Sequence, residues 1–145
     1  MTEGTFSQLE IDATPDALYQ VAADVAAYPE WANGVKEVEV LESDDEGRVL
    51  RARFLVDVFV KKIEYTLNYT HDYPRMMSRT AEESDDLRML EGSYAFNPVD
   101  GATEVIYSLT VEPKFSIPGF IKRQGENQLV TTALRGLRKR VTEAG

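Results

Sequence analysis

Residues 63–71 have the sequence Ile-Glu-Tyr-Thr-Leu-Asn-Tyr-Thr-His, in which a large apolar or ring-bearing side chain alternates with a polar one. An alternation with a period of two is typical of a β-strand that has one buried face and one solvated face. Ile63, Tyr65, Leu67, Tyr69 and His71 share the face that we expect to point into the protein. This stretch therefore predicts a sheet with an aromatic inner surface.

The same period continues on both sides of this strand, from Val35 to Val111. Segments rich in Gly, Pro, Asn and Asp interrupt it, such as residues 43–47 and 97–101, and these segments are typical of turns. The predicted strands cover about residues 35–42, 49–58, 63–71, 76–81, 87–96 and 103–111. Six strands joined by short turns favour an antiparallel meander that is buried on one face.

A strand and two short helices are predicted before the meander. The strand covers residues 5–11, where apolar and polar residues again alternate. Thr14 suits the cap of a helix and Pro15 suits its first position, so we expect a helix that runs to about residue 23. Residues 25–31 add one or two further turns before Asn33-Gly34 ends the helical segment.

A long helix is predicted after the meander, from about residue 118 to residue 143, because its apolar residues form a stripe at helical spacing. At 1.5 Å per residue such a helix is about 39 Å long. The whole order is β-αα-ββββββ-α, without a repeat or a linker. We therefore expect an α+β fold with about seven strands, in one domain that spans residues 1–145.

Three stretches of this chain resemble a known superfamily. They are Ile-Asp-Ala-Thr-Pro-Asp-Ala-Leu-Tyr at 11–19, Asp-Val-Ala-Ala-Tyr-Pro-Glu-Trp at 24–31, and Leu-Glu-Gly-Ser-Tyr-Ala-Phe-Asn-Pro at 90–98. Together with the element order they resemble the START-like (SRPBCC) proteins, in particular the polyketide cyclase/dehydrase and coenzyme Q-binding types. The resemblance implies a helix-grip fold, in which a curved sheet wraps around the long helix and leaves an apolar cavity between them.

The composition excludes several classes of site. The chain has 16 Lys and Arg against 25 Asp and Glu, which gives a net charge of −9, and it has no cysteine and one histidine. Disulfides, cysteine nucleophiles, and metal sites built from Cys or several His are therefore excluded, and we expect no metal and no cofactor. Because an acidic surface repels nucleic acid, we expect no nucleic-acid partner.

No targeting segment or membrane span is evident in the sequence. The N-terminal residues are polar, and no apolar run approaches the roughly 20 residues that a membrane helix needs. We therefore expect a cytoplasmic protein without stable membrane insertion. The sequence leaves open whether it contacts a protein partner or a second copy of itself.

Aromatic residues dominate the expected ligand site. Several tyrosines on inward strand faces would give an apolar cavity with scattered hydroxyl groups, although for any single tyrosine simple core packing is an equal alternative. The expected cavity lining consists of Trp31, Phe54, Tyr65, Tyr69, Met89, Tyr94, Tyr107, Phe120 and Gln124. For Trp31, anchoring of the short helices is a further alternative to ligand contact.

His71 is the candidate catalytic residue, because it is the only imidazole and shares the inward face of its strand. The alternative is a structural histidine at a strand end. Arg51 or Arg53 would join the site if their strand face turned inward.

Three functions remain compatible with the sequence. The first is binding of a hydrophobic small molecule such as a lipid, quinone or polyketide, which suits a cavity that lacks a catalytic constellation. The second is a polyketide aromatase/cyclase, which needs a shaped cavity and one acid or base. The third, implied by the resemblance, is a protein-interaction module of the toxin type.

Overall fold

One antiparallel sheet of seven strands is the framework of the protein within residues 4–32, 34–58, 61–116 and 118–144, which the computed structural model describes. The strands are β1 (Thr5–Ile11), β2 (Val35–Ser43), β3 (Val49–Val58), β4 (Lys61–Asp72), β5 (Met76–Ala81), β6 (Leu87–Val99) and β7 (Ala102–Pro113). Their order across the sheet is β1-β7-β6-β5-β4-β3-β2. Strands β2 to β7 therefore form the predicted meander, and β1 pairs with β7 at its end.

Three α-helices accompany the sheet in the described ranges: α1 (Pro15–Ala23), α2 (Tyr28–Trp31) and α3 (Gly119–Ala144). A single 3-10 turn, Val25–Ala27, joins α1 to α2. The Thr14 hydroxyl accepts a hydrogen bond from the backbone N–H of Ala17 at 3.1 Å, and Pro15 occupies the first turn of α1. The predicted cap and helix start are thus confirmed.

The β6–β7 hairpin is longer than predicted, because both strands continue into the segment 97–101 that the sequence indicates as a turn. Asp100 and Gly101 alone make the turn, with φ angles of 44° and 85°. Pro98 is tolerated inside β6 because its missing N–H would point to the side where β5 has already ended. Two residues earlier, the N–H of Phe96 still reaches Arg75 just before β5.

Helix α3 packs mainly against β1, β7 and α1. Val130, Leu134 and Leu137 are buried in this contact. Glu126 is also buried, and its carboxylate accepts hydrogen bonds from the Thr5 hydroxyl at 3.2 Å and from the backbone N–H of Val111 at 3.1 Å. One carboxylate therefore ties α3 to both β1 and β7.

This arrangement confirms the predicted α+β helix-grip fold. Helix α3 covers the β1–β7 side of the sheet. Different elements therefore lie above different parts of the inner surface of β3 to β6. The part beneath α3 faces a cavity, and the part at the other end, on β5 and β6, packs under α1.

Candidate functional site

A cavity of about 560 Å³ lies between α3 and the inner face of the sheet. Strands β3, β4, β6 and β7 supply its apolar walls, among them Phe54, Ile63, Leu67, Leu90, Leu109 and Val111. These residues point inward because each strand alternates, and the curvature of the sheet keeps their side chains apart from the helix. The volume falls within the range of roughly 300–1,000 Å³ that is usual for small-molecule sites.

Helix α3 forms the roof of the cavity with one face. Gly125, Gln128, Leu129, Thr132 and Gly136 line it, at spacings of three and four residues. Leu129 is 43% exposed although it is apolar, so it lies where the cavity meets solvent. At Gly136 a β-carbon would lie 3.4 Å from the Trp31 ring, so the indole packs close to this turn of the helix.

Five of the sequence-predicted lining residues lie on the cavity wall: Trp31, Phe54, Tyr65, Tyr94 and Tyr107. Their rings form stacked pairs. Phe54 stacks on Tyr65 with ring centroids 5.6 Å apart, and Tyr94 stacks on Tyr107 at 4.5 Å. Trp31 packs edge-on against Tyr28 as well, so it both anchors α2 and contacts the cavity, and the two alternatives for this residue are compatible.

His71 and Tyr69 are not part of the cavity lining, although they share the inward face of β4. The His71 Nε2 atom is 2.7 Å from the carbonyl oxygen of Val49, and its Nδ1 atom is 2.7 Å from the Tyr19 hydroxyl. Tyr69 is buried and its ring stacks on the imidazole, with centroids 6.1 Å apart. The hydrogen bond with Tyr19 places His71 under α1, so His71 links elements of the core and does not reach the cavity wall.

Met89 and Gln124 also lie outside the lining. The pairing of β6 with β7 shifts register between Leu87 and Met89, so Leu87 and Leu90 both point inward and Met89 does not. Gln124 is exposed, because the cavity-facing side of α3 begins one residue later at Gly125. The side chain of Phe120 lies outside what the structure describes.

Arg51 and Arg53 point to the solvent face of the sheet. Arg51 pairs with Glu82 at 2.7 Å, and Arg53 lies 3.0 Å from both Glu39 and Glu64. Neighbouring residues of opposite parity on β3, such as Ala52, are buried. The condition under which either arginine would join the site, an inward strand face, is therefore not met.

Arg79 on β5 is a charged cavity residue that the sequence reasoning missed. Its guanidinium donates a hydrogen bond from Nη2 to the Tyr107 hydroxyl, and its central carbon lies 5.0 Å from the centroid of the Tyr107 ring. A signal was present in the sequence, because Arg79 shares the parity of the buried Met77. A cation at an inward strand position marks a candidate binding group.

The phenols around Arg79 remain neutral at physiological pH. Burial raises the pKa of Tyr65 to about 12, and desolvation also raises the pKa of Tyr28, Tyr69 and Tyr94 above the ordinary value of 10.0. These groups can donate or accept hydrogen bonds, but they supply no negative charge. The inner end of the cavity is thus a single cation among neutral hydroxyl groups.

The outer end of the cavity is also more basic than acidic. Arg135 and Lys139 line it from α3, whereas Asp57 at the end of β3 is the one carboxylate in the described lining. Both basic residues are exposed. In a chain with a net charge of −9, this local excess of cations is a distinctive property of the cavity.

The described residues contain no group of three or more His, Asp or Glu side chains arranged to hold a metal ion. Nor does any described helix combine the length and apolarity needed to cross a bilayer.

Comparison with known protein families gives a match over most of the chain. The family model described as polyketide cyclase / dehydrase and lipid transport matches residues 11–138. This range extends from the last residue of β1 into the final turns of α3, so it includes every residue of the cavity lining except Lys139. No curated protein sequence matches at a significant level.

Solved structures share the fold at low sequence identity. A START superfamily protein from Mycobacterium smegmatis has a TM-score of 0.89 at 18% identity, covering 98% of this chain and 99% of the other. An aromatase/cyclase from a Streptomyces species has a TM-score of 0.78 at 17% identity, with coverages of 100% and 99%. A STAR-related lipid transfer protein from Xanthomonas axonopodis has a TM-score of 0.73 at 16% identity, with coverages of 96% and 85%. The chain therefore belongs to the polyketide cyclase/dehydrase and lipid transport family, and it has the fold of START superfamily proteins.

Proposed function

We propose that this protein binds a hydrophobic small molecule in the cavity between α3 and the sheet. The observation that supports this function best is the cavity itself, with a volume of about 560 Å³ and walls of aliphatic and aromatic side chains. A ligand that fills it would remove apolar surface from water, which is worth about 25 cal/mol per Å². Membership of a family whose description includes lipid transport is consistent with this proposal.

Trp31 provides a direct readout, because it is the only tryptophan in the chain and it lines the cavity. We expect the neutral dye N-phenyl-1-naphthylamine to bind with one-to-one stoichiometry, to quench Trp31 emission by energy transfer, and to gain fluorescence itself. Absence of saturable binding by the purified, lipid-stripped protein would contradict the proposal.

A matched pair of variants locates the dye. Ala133→Phe places a ring on the cavity face of α3 and should weaken dye binding by roughly 10-fold or more, since an occupied cavity has no room for the ligand. Asn127→Phe adds the same ring at an exposed position of α3 that is outside the lining, and it should leave binding unchanged. Equal effects of the two substitutions would assign the dye to another surface.

Cyclisation of a polyketide is a second candidate function, favoured by the donors at the inner end of the cavity. The Arg79 guanidinium and the neutral Tyr65 hydroxyl could stabilise an enolate oxygen. In an intramolecular aldol step, the α-carbon loses a proton and bonds to a second carbonyl carbon, whose oxygen takes up a proton. The protein should then accelerate exchange of the α-protons of a hydrophobic 1,3-diketone in D₂O, measured by NMR. An unchanged exchange rate would remove this candidate.

A further inference from the structure

The Arg79 side chain occupies space that is free because its partner on β6 is a glycine. In the antiparallel register Arg79 lies opposite Tyr69 on β4 and opposite Gly92 on β6. A β-carbon at Gly92 would lie 3.0 Å from the Arg79 Nε atom, and 3.3 Å from the backbone oxygen of Ser108. The missing side chain of Gly92 therefore lets the guanidinium cross β6 and reach the Tyr107 hydroxyl on β7.

The positive charge of Arg79 has no carboxylate partner among the described residues. Its Nε atom is buried without a hydrogen-bond partner, and the surrounding groups are phenols. Burial raises the pKa of Tyr69 and Tyr94, so these phenols do not ionise to neutralise the cation. Surface arginines of the same sheet are paired, as in Arg51 with Glu82.

A partly buried cation without a counter-charge is unfavourable, because desolvation of the guanidinium is compensated only in part by the Tyr107 hydrogen bond, by the neighbouring Tyr69 and Tyr94 phenols and by the faces of the Tyr94 and Tyr107 rings. The guanidinium matches the geometry of a two-oxygen anion, to which it can donate two parallel hydrogen bonds. The Tyr65 hydroxyl in the same lining adds a neutral donor.

The rest of the cavity restricts what such an anion can be attached to. Between Arg79 and the mouth the walls are apolar, with Leu67, Leu90 and Leu109 from three strands. A small inorganic anion would leave these walls without contact, whereas an apolar body attached to the anion would cover them. Arg135 and Lys139 at the mouth favour the approach of a negatively charged ligand.

We propose that the ligand of this cavity is a hydrophobic carboxylate, with its carboxylate bound by Arg79 at the inner end and its apolar body directed towards α3 and the mouth. This inference rests on the proposed function, since it requires that the cavity binds a ligand, and it adds the chemical class of that ligand.

Competition against bound N-phenyl-1-naphthylamine tests the class of ligand. Decanoate is compared with decan-1-ol, and naphthalene-2-carboxylate with naphthalene-2-methanol, so that each pair differs mainly in the charged group. We expect at least one acid to compete about 10-fold or more better than its alcohol, in line with a charge-assisted hydrogen bond in a desolvated site. The pair with the larger preference shows whether the apolar body is aliphatic or aromatic.

Variants assign the preference to a residue. Arg79→Met keeps the length of the side chain without its charge, and should abolish the preference for the acid while the dye and the alcohols still bind. Arg53→Met is the control on the solvent face and should keep the preference. If Arg79→Met still prefers the acid to the alcohol but Arg135→Met does not, the inference is wrong, because the carboxylate then binds at the mouth of the cavity.

The wild-type protein alone separates the two proposals. If the dye binds but acids and alcohols compete equally, the carboxylate inference is wrong and the proposed function stands. If the dye and all four competitors fail to bind, both the proposed function and the carboxylate inference are wrong. The wild-type comparison does not depend on the folding of any variant.

Discussion

Replacing Arg79 by methionine should stabilise the unliganded protein. The guanidinium is partly buried, its Nε atom is sealed without a partner, and among the described residues no carboxylate compensates its charge. In the proposed carboxylate site, such a group would favour binding at the expense of stability. Methionine has a similar length and is apolar, so it can cover Leu67 and Leu90 without requiring a counter-charge.

The size of the effect follows from opposing contributions. The substitution loses one charge-assisted hydrogen bond to Tyr107, worth about 1.5–3 kcal/mol, and ring contacts with Tyr94 and Tyr107, worth about 0.5–2 kcal/mol. It removes the desolvation of an unpaired ion, which costs several kcal/mol, and it buries an apolar side chain worth about 1.5–3 kcal/mol. We expect a net gain of about 1–3 kcal/mol, towards the low end because the open cavity leaves part of the guanidinium hydrated.

Urea unfolding followed by Trp31 fluorescence measures this gain, with thermal unfolding as a second assay. For a chain of this length each kcal/mol corresponds to roughly 2–4 °C in Tm. Arg53→Met is the control, since it removes exposed ion pairs with Glu39 and Glu64 and should change stability by less than about 1 kcal/mol. An Arg79→Met protein that is less stable than the wild type would refute the reasoning, because the cation would then be a net structural contributor.

Three further predictions concern the scaffold around the cavity. Glu126→Ala should lower the free energy of unfolding by about 1–3 kcal/mol in urea titration, because the N–H of Val111 loses its buried acceptor, whereas Glu126→Gln should recover part of the loss. Gly136→Ala should raise the free energy of unfolding by up to about 1 kcal/mol, because alanine favours the helix and the new methyl group would lie 3.4 Å from the Trp31 ring. A lower free energy of unfolding would show that the methyl group does not fit beside Trp31. Absorbance titration should show fewer than seven tyrosines ionising near pH 10 in the folded protein. Burial raises the pKa of Tyr65 to about 12 from 10.0, so between these pH values the folded state holds more protons than the unfolded state. The free energy of unfolding should therefore fall as the pH rises through this interval. Ionisation of all seven tyrosines near pH 10 without unfolding would contradict the burial.

Local patterns were sufficient to predict the elements. The alternation over 63–71 and its continuation predicted the sheet, and Thr14 with Pro15 predicted the start of α1. These predictions succeed because period and capping depend on neighbouring residues. The register shift in β6 near Met89 and the extension of β6 past Pro98 depend on partner strands, so the sequence reasoning did not anticipate them.

The composition of the cavity could be predicted only in part, for a related reason. Alternation assigned Tyr65, Tyr69 and His71 correctly to one face of β4, but only Tyr65 of the three lies on the cavity wall. Parity determines the face of a side chain, and the element packed above that face determines whether it meets a ligand or the core. The sequence by itself therefore determined the fold, the family resemblance and an aromatic inner surface. Only the tertiary structure decided that α1 covers His71 and that Arg79 faces the cavity across Gly92, because both result from contacts between segments far apart in the chain.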